Sequence, residues 1–332
     1  MLTLQDSVRG QTRLHRRDFL RVGGLSLGGL TLADLFALKA HARTHHLPLR
    51  DKSVIFLFQH GGPSQFETFD PKMDAPREIR SATGEVKTTL PGVTFGATYE
   101  RLAKLADKFS IVRSFSTGDA NHDIKPIVGR DTLRANMGSL YARVAGVLRP
   151  DTAMPTNVAL FPRAVTPAAG PAIKQFGNFE ASGEFGMAYA PFVPGAGGGL
   201  QEDMKLNLPQ ARLNDRRELL GSLDQWKRRT EAGGVIEGLN AFQQQAFDTL
   251  LGGVSDAFDL SKEDPRLLAR YDTAHLLPKD KISRQWKNRE HYADHAASLG
   301  KLLLLARRLC ERGAGFVTVT TSFVWDMHAD SN

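Results

Sequence analysis

Four side chains of the types that bind divalent metal ions follow stretches that the sequence predicts to be β-strands: His60, His122, Asp326 and His328. Asp326 and His328 are two residues apart, so in an extended chain both point the same way and can contact one ion. Parallel strands bring their carboxyl ends to one edge of a sheet, where α/β proteins bind ligands. We therefore expect one cluster, with His122 near its margin, that holds a divalent ion and leaves a position for water or an ester oxygen.

Each of these residues also has an ordinary structural explanation. His60 could be a loop histidine bonded to backbone, and Asp326 and His328 could simply be polar surface residues. His291 and His295 have the i, i+4 spacing of a ligand pair, although this spacing is more typical of the polar edge of a helix.

The elements that must position these residues alternate between strands and helices. A continuous apolar run predicts a strand at 53–58 that is buried on both faces, and 316–320 predicts a second central strand of the same sheet. Shorter strands are predicted at 110–113 and 157–161, and helices at 98–108, 137–148, 214–229, 234–258 and 288–312. Residues 163–207, rich in Pro, Gly and Ala, predict an irregular insertion or lid on the substrate side. This alternation indicates an α/β fold with a mainly parallel sheet flanked by helices.

The clearest helix is the one at 288–312, which we expect Gly313 to end. Its apolar residues recur every three or four positions and predict a single core-facing stripe: Tyr292, Ala296, Leu299, Leu303, Ala306 and Cys310. For the helix at 98–108, the predicted apolar face consists of Leu102, Leu105 and Ala106.

The first 42 residues resemble a twin-arginine signal peptide. His15–Arg21 contains the arginine pair, Phe-Leu and a following basic residue, and Ala40-His41-Ala42 offers a small-x-small cleavage site. The apolar stretch at 22–33 is too short to span a bilayer. We expect recognition by the twin-arginine export machinery and a periplasmic or extracellular mature protein that starts near Arg43. The alternative is a buried amphipathic helix after a chance arginine pair.

Composition narrows the classes of function. The 332 residues carry a net charge of +7, and no basic stripe is interleaved with aromatics, so nucleic-acid binding is not expected. The mild positive charge could favour anionic partners. The single cysteine, Cys310, excludes an intrachain disulfide framework, and its place in the apolar stripe predicts a packing role. Beyond the signal, no segment is apolar enough to cross a membrane.

Three segments together resemble the exported DUF1501 proteins, which are grouped with the alkaline-phosphatase and sulfatase superfamily. They are Phe58–Lys72, Leu304–Gly313 and Trp325–His328, and they follow a matching twin-arginine leader. The resemblance implies an alkaline-phosphatase-like domain over 43–332. Members of the family continue to a Gly-Arg-Asp-His-Trp motif that does not occur before Asn332. From this resemblance we expect a C-terminally truncated domain with an incomplete site, weak metal affinity and feeble or no catalysis.

The resemblance also implies a reaction. The superfamily hydrolyses phosphate or sulfate esters at one or two divalent metal ions, such as zinc, magnesium, calcium or manganese. His60 stands where its members carry a metal-binding Asp, while Ser116 and Thr117 fall near their nucleophile; Ser64 is another candidate nucleophile. The alternative is a non-catalytic exported protein on the same fold that binds sulfated or acidic polymers.

Overall fold

The computed structural model describes residues 41, 44, 45, 52–59, 62–115, 132–172, 174, 177–195, 212, 215, 216, 218, 219, 254–282 and 289–321. The chain divides into two compact units, Met1–Lys52 and Ser53–Asn332. In the first unit, the His45 amide donates to the His41 carbonyl at 3.0 Å, which closes one helical turn. All strands and the long helix below belong to the second unit.

The second unit contains five strands and five α-helices within the described ranges. The strands are β1 (Val54–Phe58), β2 (Glu85–Lys87), β3 (Thr94–Gly96), β4 (Asn157–Leu160) and β5 (Phe316–Thr320). The helices are α1 (Glu100–Ala103), α2 (Met137–Ala145), α3 (Ser255–Phe258), α4 (Pro265–Arg270) and α5 (Arg289–Glu311). Single 3-10 turns occupy Gln65–Glu67, Ala97–Tyr99, Ala106–Lys108, Pro162–Ala164, Gly183–Phe185, Met187–Tyr189, Leu260–Lys262, Ala274–Leu276 and Lys279–Lys281.

A three-stranded parallel sheet in the order β1-β5-β4 lies at the centre of the unit. Strand β5 is buried along its whole length and pairs with β1 and β4 on its two sides. The expectation that 53–58 and 316–320 belong to one parallel sheet is therefore confirmed; β5 is central, whereas β1 is at the edge of the described sheet. Strands β2 and β3 form a separate antiparallel pair.

Helix α5 packs on one face of this sheet and contributes more residues to the main core than any other described element. Its Leu302, Leu305 and Leu309 are fully buried in the same cluster as Val317 and Val319 of β5. Alternation along the strand puts these two valines on the helix side and the intervening threonines on the opposite side. Burial of this apolar surface is the principal stabilising contribution to the unit.

The end of α5 is set by Gly313, as predicted. Gly313 has φ +107°, a left-handed conformation that glycine adopts without a Cβ clash. Its amide donates to Cys310 at 3.1 Å, and the amide of Ala314 donates to Leu309 at 2.9 Å. This pair of bonds is a Schellman motif, which satisfies the last helical carbonyls and turns the chain directly into β5.

Two smaller clusters complete the packing. On the second face of the sheet, Phe58 of β1 contacts Phe179, with ring centroids 4.9 Å apart. A separate cluster surrounds Phe95 of β3, and includes Phe69 as well as Ala103 and Ala106. The latter cluster supports the chain that follows β1.

The segment 98–115 differs from its prediction. Residues 98–108 form α1 and two 3-10 turns instead of one helix. Their buried residues are Ala103 and Ala106, while Leu102 and Leu105 are 37% and 50% exposed. The alanines approach Phe95 closely because they are small, so this packing decides which face is buried.

The strand predicted at 110–113 is also wrong, because these residues have no regular secondary structure. Ile111 packs against the Phe95 cluster, whereas Val112 is 68% exposed. A strand needs a hydrogen-bonding neighbour as well as apolar residues, and the described strands do not supply one here.

Two expectations of burial were wrong as well. Val54 and Ile55 of β1 are 43% and 42% exposed, because β1 lies at the edge of the described sheet, where fewer side chains cover it. On α5 most buried residues are one position before the predicted stripe, at His295, Ser298, Leu302, Leu305 and Leu309. Of the predicted residues, Ala306 is fully buried, and Leu299, Leu303 and Cys310 are partly buried against the same core. This helix also contacts α3 and the turn at Ala274–Leu276, so its buried arc is wider than one stripe.

The other predictions for the fold have mixed outcomes. The helix predicted at 137–148 ends earlier, at Ala145, and the strand predicted at 157–161 ends at Leu160. The described part of 163–207 contains only 3-10 turns and irregular chain, as expected. The helices predicted at 214–229 and 234–258 lie largely outside the described residues, apart from α3. Within the part of the chain that can be described, no helix is long and apolar enough to cross a bilayer.

Candidate functional site

The carboxyl edge of the sheet is the place where the predicted site should form. In the parallel register Phe58 is paired with Thr320, and Leu160 is paired with Val319, so the three strands end together. The chain beyond β1 reaches His60 after two residues. The segment that carries His60 and the segment that carries Asp326 and His328 therefore begin at neighbouring strand ends.

Thr320, the last residue of β5, has an unusual environment at this edge. Its side chain is only 1% exposed, and its hydroxyl oxygen has no hydrogen-bond partner. A buried hydroxyl without a partner costs about 1–3 kcal/mol relative to a satisfied one. Such a group in a native fold calls for an explanation, such as a bound ion, water or ligand.

Most of the predicted site residues lie outside the described residues: His60, His122, Asp326 and His328 among the ligands, and Ser116 and Thr117 among the nucleophiles. The cluster therefore stays a prediction. Among the residues whose positions are described, no three His, Cys, Asp or Glu side chains are grouped to hold a metal ion. The strand expected to position His122 is not formed, so its predicted location loses that support.

Ser64 caps the 3-10 turn that follows β1. Its hydroxyl accepts a hydrogen bond from the Phe66 amide at 3.3 Å, and its carbonyl accepts from the Glu67 amide at 3.1 Å. Gly62 nearby has φ +60° with open space where a Cβ would lie, so its backbone conformation, and not a close approach, favours glycine. The described contacts of Ser64 are those of a capping residue.

Glu67, which sequence reasoning did not single out, holds this loop to residues 81–83. Its carboxylate accepts hydrogen bonds from the Ala82 amide at 2.6 Å, the Ser81 hydroxyl at 2.9 Å and the Thr83 hydroxyl at 2.5 Å. Burial raises the pKa of Glu67, but hydrogen bonds from Thr83, Ala82 and Ser81 together outweigh it and lower the pKa below its ordinary value. The carboxylate therefore fixes the shape of the loop that follows the candidate site.

Asp70 connects the same loop to the segment that precedes Ser116. Its carboxylate pairs with Lys72 at 2.8 Å and with Arg113 at 3.7 Å, and Arg113 also donates to the Thr94 carbonyl at 3.4 Å. These contacts hold Asp70, 12 residues beyond the end of β1, next to Arg113, three residues before Ser116.

Comparison with known families identifies the chain. The family model described as "Protein of unknown function (DUF1501)" matches residues 51–332. The chain belongs to the DUF1501 family. Searches of curated proteins and of solved structures returned no significant match.

Arg308, within the second motif that carries the DUF1501 resemblance, is a buried cation with a complete set of partners. It donates to the Ala257 carbonyl at 2.9 Å and to the Asp256 carbonyl at 2.8 Å, and it forms an ion pair with Glu263. The two carbonyls belong to α3; that of Asp256 also accepts the Asp259 amide at 3.3 Å, whereas that of Ala257 is at the end of the helix, where carbonyls lack intrahelical donors. In this DUF1501 protein, Arg308 therefore has a structural role, and it attaches α3 to α5.

His295 lines an apolar cavity of about 280 Å³, whose other walls include Leu276, Leu277, Tyr292 and Leu299. Burial, and then the charge of the neighbouring imidazole one turn earlier, lowers the pKa of His295 to about 4. His295 is only 7% exposed, so the predicted polar helix edge is wrong at this position. The buried imidazole is neutral at physiological pH.

Cys310 behaves as its position in the DUF1501 sequence predicts. It is half-buried against the main core, and burial raises the pKa of its thiol. A thiol with a raised pKa is a poor nucleophile, which agrees with a packing role.

The functional features that sequence reasoning missed had only weak signals. Thr320 could have been noticed because β5 alternates threonine and valine, which is unusual in a strand buried on both faces. Glu67 lies in the first DUF1501 motif, but its partners are 14 to 16 residues away and no local pattern indicates them.

Proposed function

We propose that this chain is an exported hydrolase that cleaves phosphate or sulfate esters with the help of a divalent metal ion. The observation that carries the proposal is the parallel pairing of β1 with β5, in which Phe58 lies opposite Thr320. From these adjacent ends the chain continues to His60 on one side and to Asp326 and His328 on the other. An alkaline-phosphatase-like arrangement of the whole domain is part of this proposal.

The available side chains fit a metal ion chemically. His60, Asp326 and His328 offer nitrogen and oxygen donors that suit zinc, magnesium, calcium or manganese, and His122 would lie at the margin. The orphaned Thr320 hydroxyl at the same edge supports a site that receives a polar ligand. When bound, the ion would polarise the ester oxygen and lower the pKa of a nucleophile.

The nucleophile in this proposal is the hydroxyl of Ser116 or Thr117. Ser64 remains a candidate, but its hydroxyl already accepts the Phe66 amide as a cap, so attack by Ser64 would require it to give up that bond. The ion pair of Arg113 with Asp70 joins the chain that leads to Ser116 to the chain that continues from β1, and this connection supports the choice. In the attack, the hydroxyl oxygen would form a bond to phosphorus or sulfur while the ester bond breaks and its alcohol leaves; the hydroxyl proton would pass to solvent or to that alcohol, and water would then release the phosphate or sulfate.

Metal content tests the site directly. The full chain, purified from its exported fraction without chelator, should contain divalent metal above background by elemental analysis, in an amount limited by the weak affinity expected for this site. His60→Ala and His328→Ala should lose most of this metal, because each removes one of three ligands. His275→Ala is the control, since this exposed histidine belongs to the turn at Ala274–Leu276. Background metal in the wild type, or full retention in both ligand variants, contradicts the proposal.

Turnover separates the hydrolase from a binding protein on the same fold. We expect the metal-loaded chain to hydrolyse p-nitrophenyl phosphate or p-nitrophenyl sulfate, and Ser116→Ala or Thr117→Ala to abolish the product. Metal above background and retention on a sulfated polymer column, without hydrolysis of either ester, would instead favour the non-catalytic protein.

Export is tested by the arginine pair. Replacing both Arg16 and Arg17 by lysine should leave the precursor in the cytoplasm. The wild-type chain should be cleaved near Arg43 and exported from the cytoplasm. Fractionation followed by N-terminal sequencing measures both results. Normal export of the double-lysine variant is incompatible with twin-arginine recognition.

A further inference from the structure

Two buried polar atoms of the described chain have no hydrogen-bond partner, and they occupy opposite ends of the sheet. One is the amide oxygen of Asn157, at the start of β4, where it fills the space above Gly138. A Cβ on Gly138 would lie 2.0 Å from this oxygen, so the oxygen rests against backbone and no ligand could reach it from that side. The other atom is the Thr320 hydroxyl oxygen, at the carboxyl edge.

Thr320 lies at the carboxyl end of β5, on the face of the sheet opposite α5. It is the last residue of β5, paired with Phe58, the last residue of β1. Alternation along the strand directs it away from Val319, which packs under α5, and towards the face that carries Phe58 and Phe179. The Thr320 hydroxyl therefore lies on the face of the sheet that carries this aromatic cluster, and no group of the described fold pairs with it.

We infer that Thr320 is a ligand-positioning residue, whose hydroxyl donates a hydrogen bond to an oxygen of a tetrahedral oxyanion, phosphate or sulfate, bound at the carboxyl edge of the sheet. This inference rests on the proposed function, which places such an anion beside the metal ligands. A hydroxyl donor complements an anion that carries several acceptor oxygens, and a bond to a charged partner is stronger than one to a neutral partner. Thr320 is neither a metal ligand nor the nucleophile in this arrangement.

Because the Thr320 hydroxyl has no hydrogen-bond partner within the described fold, we expect that its removal does not destabilise the ligand-free protein. Thr320→Val keeps the branched shape and removes only the oxygen. Because that oxygen has no partner in the fold, the variant should melt within about 2 °C of wild type, or above it. The control is Thr318→Val, since Thr318 is on the same face of β5, is 2% exposed, and lies two residues further from the edge.

Anion binding gives the second measurement. Isothermal titration of the full, metal-containing chain with inorganic phosphate, and separately with sulfate, should show binding by wild type and by Thr318→Val. Thr320→Val should bind the preferred anion about tenfold more weakly, equivalent to about 1.4 kcal/mol. Its metal content should be unchanged. Whichever of the two anions binds more tightly identifies the ester class.

The outcomes distinguish this inference from the proposed function. If Thr320→Val and wild type bind the anion with equal affinity, the inference is overturned. The proposed function still stands in that case, provided that the chain contains metal and hydrolyses the ester. A melting temperature several degrees below that of both wild type and Thr318→Val also overturns the inference, because the hydroxyl then has a partner within the fold. Metal without any anion binding refutes only the role of Thr320; absence of both refutes the role and the function together.

Discussion

Replacing Arg308 with Met tests the attachment of α3 to the long helix. Methionine keeps most of the apolar stem that lies against α5 but removes the guanidinium. The Ala257 carbonyl then loses its Arg308 donor, the Asp256 carbonyl keeps only the Asp259 amide at 3.3 Å, and the carboxylate of Glu263 loses its counterion. The side chains of Arg308 and Glu263 are 9% and 18% exposed, so water replaces the lost contacts only in part.

The expected loss of stability in Arg308→Met follows from the burial of this ion pair. Removing one partner of a buried, hydrogen-bonded ion pair costs about 3–5 kcal/mol, chiefly because the remaining groups stay unsatisfied. We expect a fall of about 1 M or more in the urea midpoint, followed by far-UV circular dichroism. Native-state hydrogen exchange should rise first in 255–263, since these residues lose their link to α5.

A neighbouring arginine provides the matched control. Arg307 pairs with Glu311 at 2.8 Å, but both side chains are about half exposed, at 46% and 56%. Surface pairs of this kind contribute little, so Arg307→Met should leave the midpoint nearly unchanged. If Arg308→Met unfolds at the same urea concentration as Arg307→Met, the structural role of Arg308 is refuted. In a double-mutant cycle, Glu263→Met should cost much less once Arg308 is already Met.

Three further predictions concern other parts of the same unit. Gly300→Ala should lower the melting temperature: the gain of about 1 kcal/mol in helix propensity is outweighed because the new Cβ would lie 1.7 Å from the Tyr271 carbonyl oxygen. For His295, the pKa of about 4 in the folded state lies below the ordinary histidine pKa of 6.5. The unfolded chain therefore binds the extra proton first, and urea titrations should show stability falling by roughly 3 kcal/mol from pH 6.5 to 4, a loss that His295→Leu removes. Glu67→Gln should speed proteolysis of the loop at 81–83, because an amide cannot accept all of its hydrogen bonds.

Each of these has a control on the same chain. Gly170→Ala should be tolerated, since its nearest neighbour would be 3.5 Å from the new Cβ. His275→Leu and Glu78→Gln replace exposed residues of the same types. A stabilising Gly300→Ala, an unchanged pH dependence in His295→Leu, or identical proteolysis of the Glu67 and Glu78 variants would contradict the respective argument.

The sequence by itself determined the elements whose residues follow one strong local pattern. Phe316–Thr320 was predicted with its observed bounds, and helix α5 differs from its predicted range by one residue at each end. Gly313 ends the helix through its own left-handed backbone conformation, so this end could be predicted without knowing which distant residues pack nearby. The family motifs are equally local, which is why the DUF1501 relationship could be predicted and was then confirmed.

The tertiary structure alone decided which residues are buried and what they contact. Leu102 and Leu105 are more apolar than the alanines beside them, yet the alanines are buried, because Ala103 and Ala106 are the residues of this segment that face Phe95 in the fold. The partners of Arg308 lie 45 to 52 residues away in sequence, and no periodic pattern connects them. Similarly, Thr320 is a residue with high strand propensity in a strand, and its orphaned hydroxyl becomes visible only when every neighbouring group has a position. Periodicity records which face of an element is apolar, whereas hydrogen-bond satisfaction depends on groups that folding brings together from distant parts of the chain.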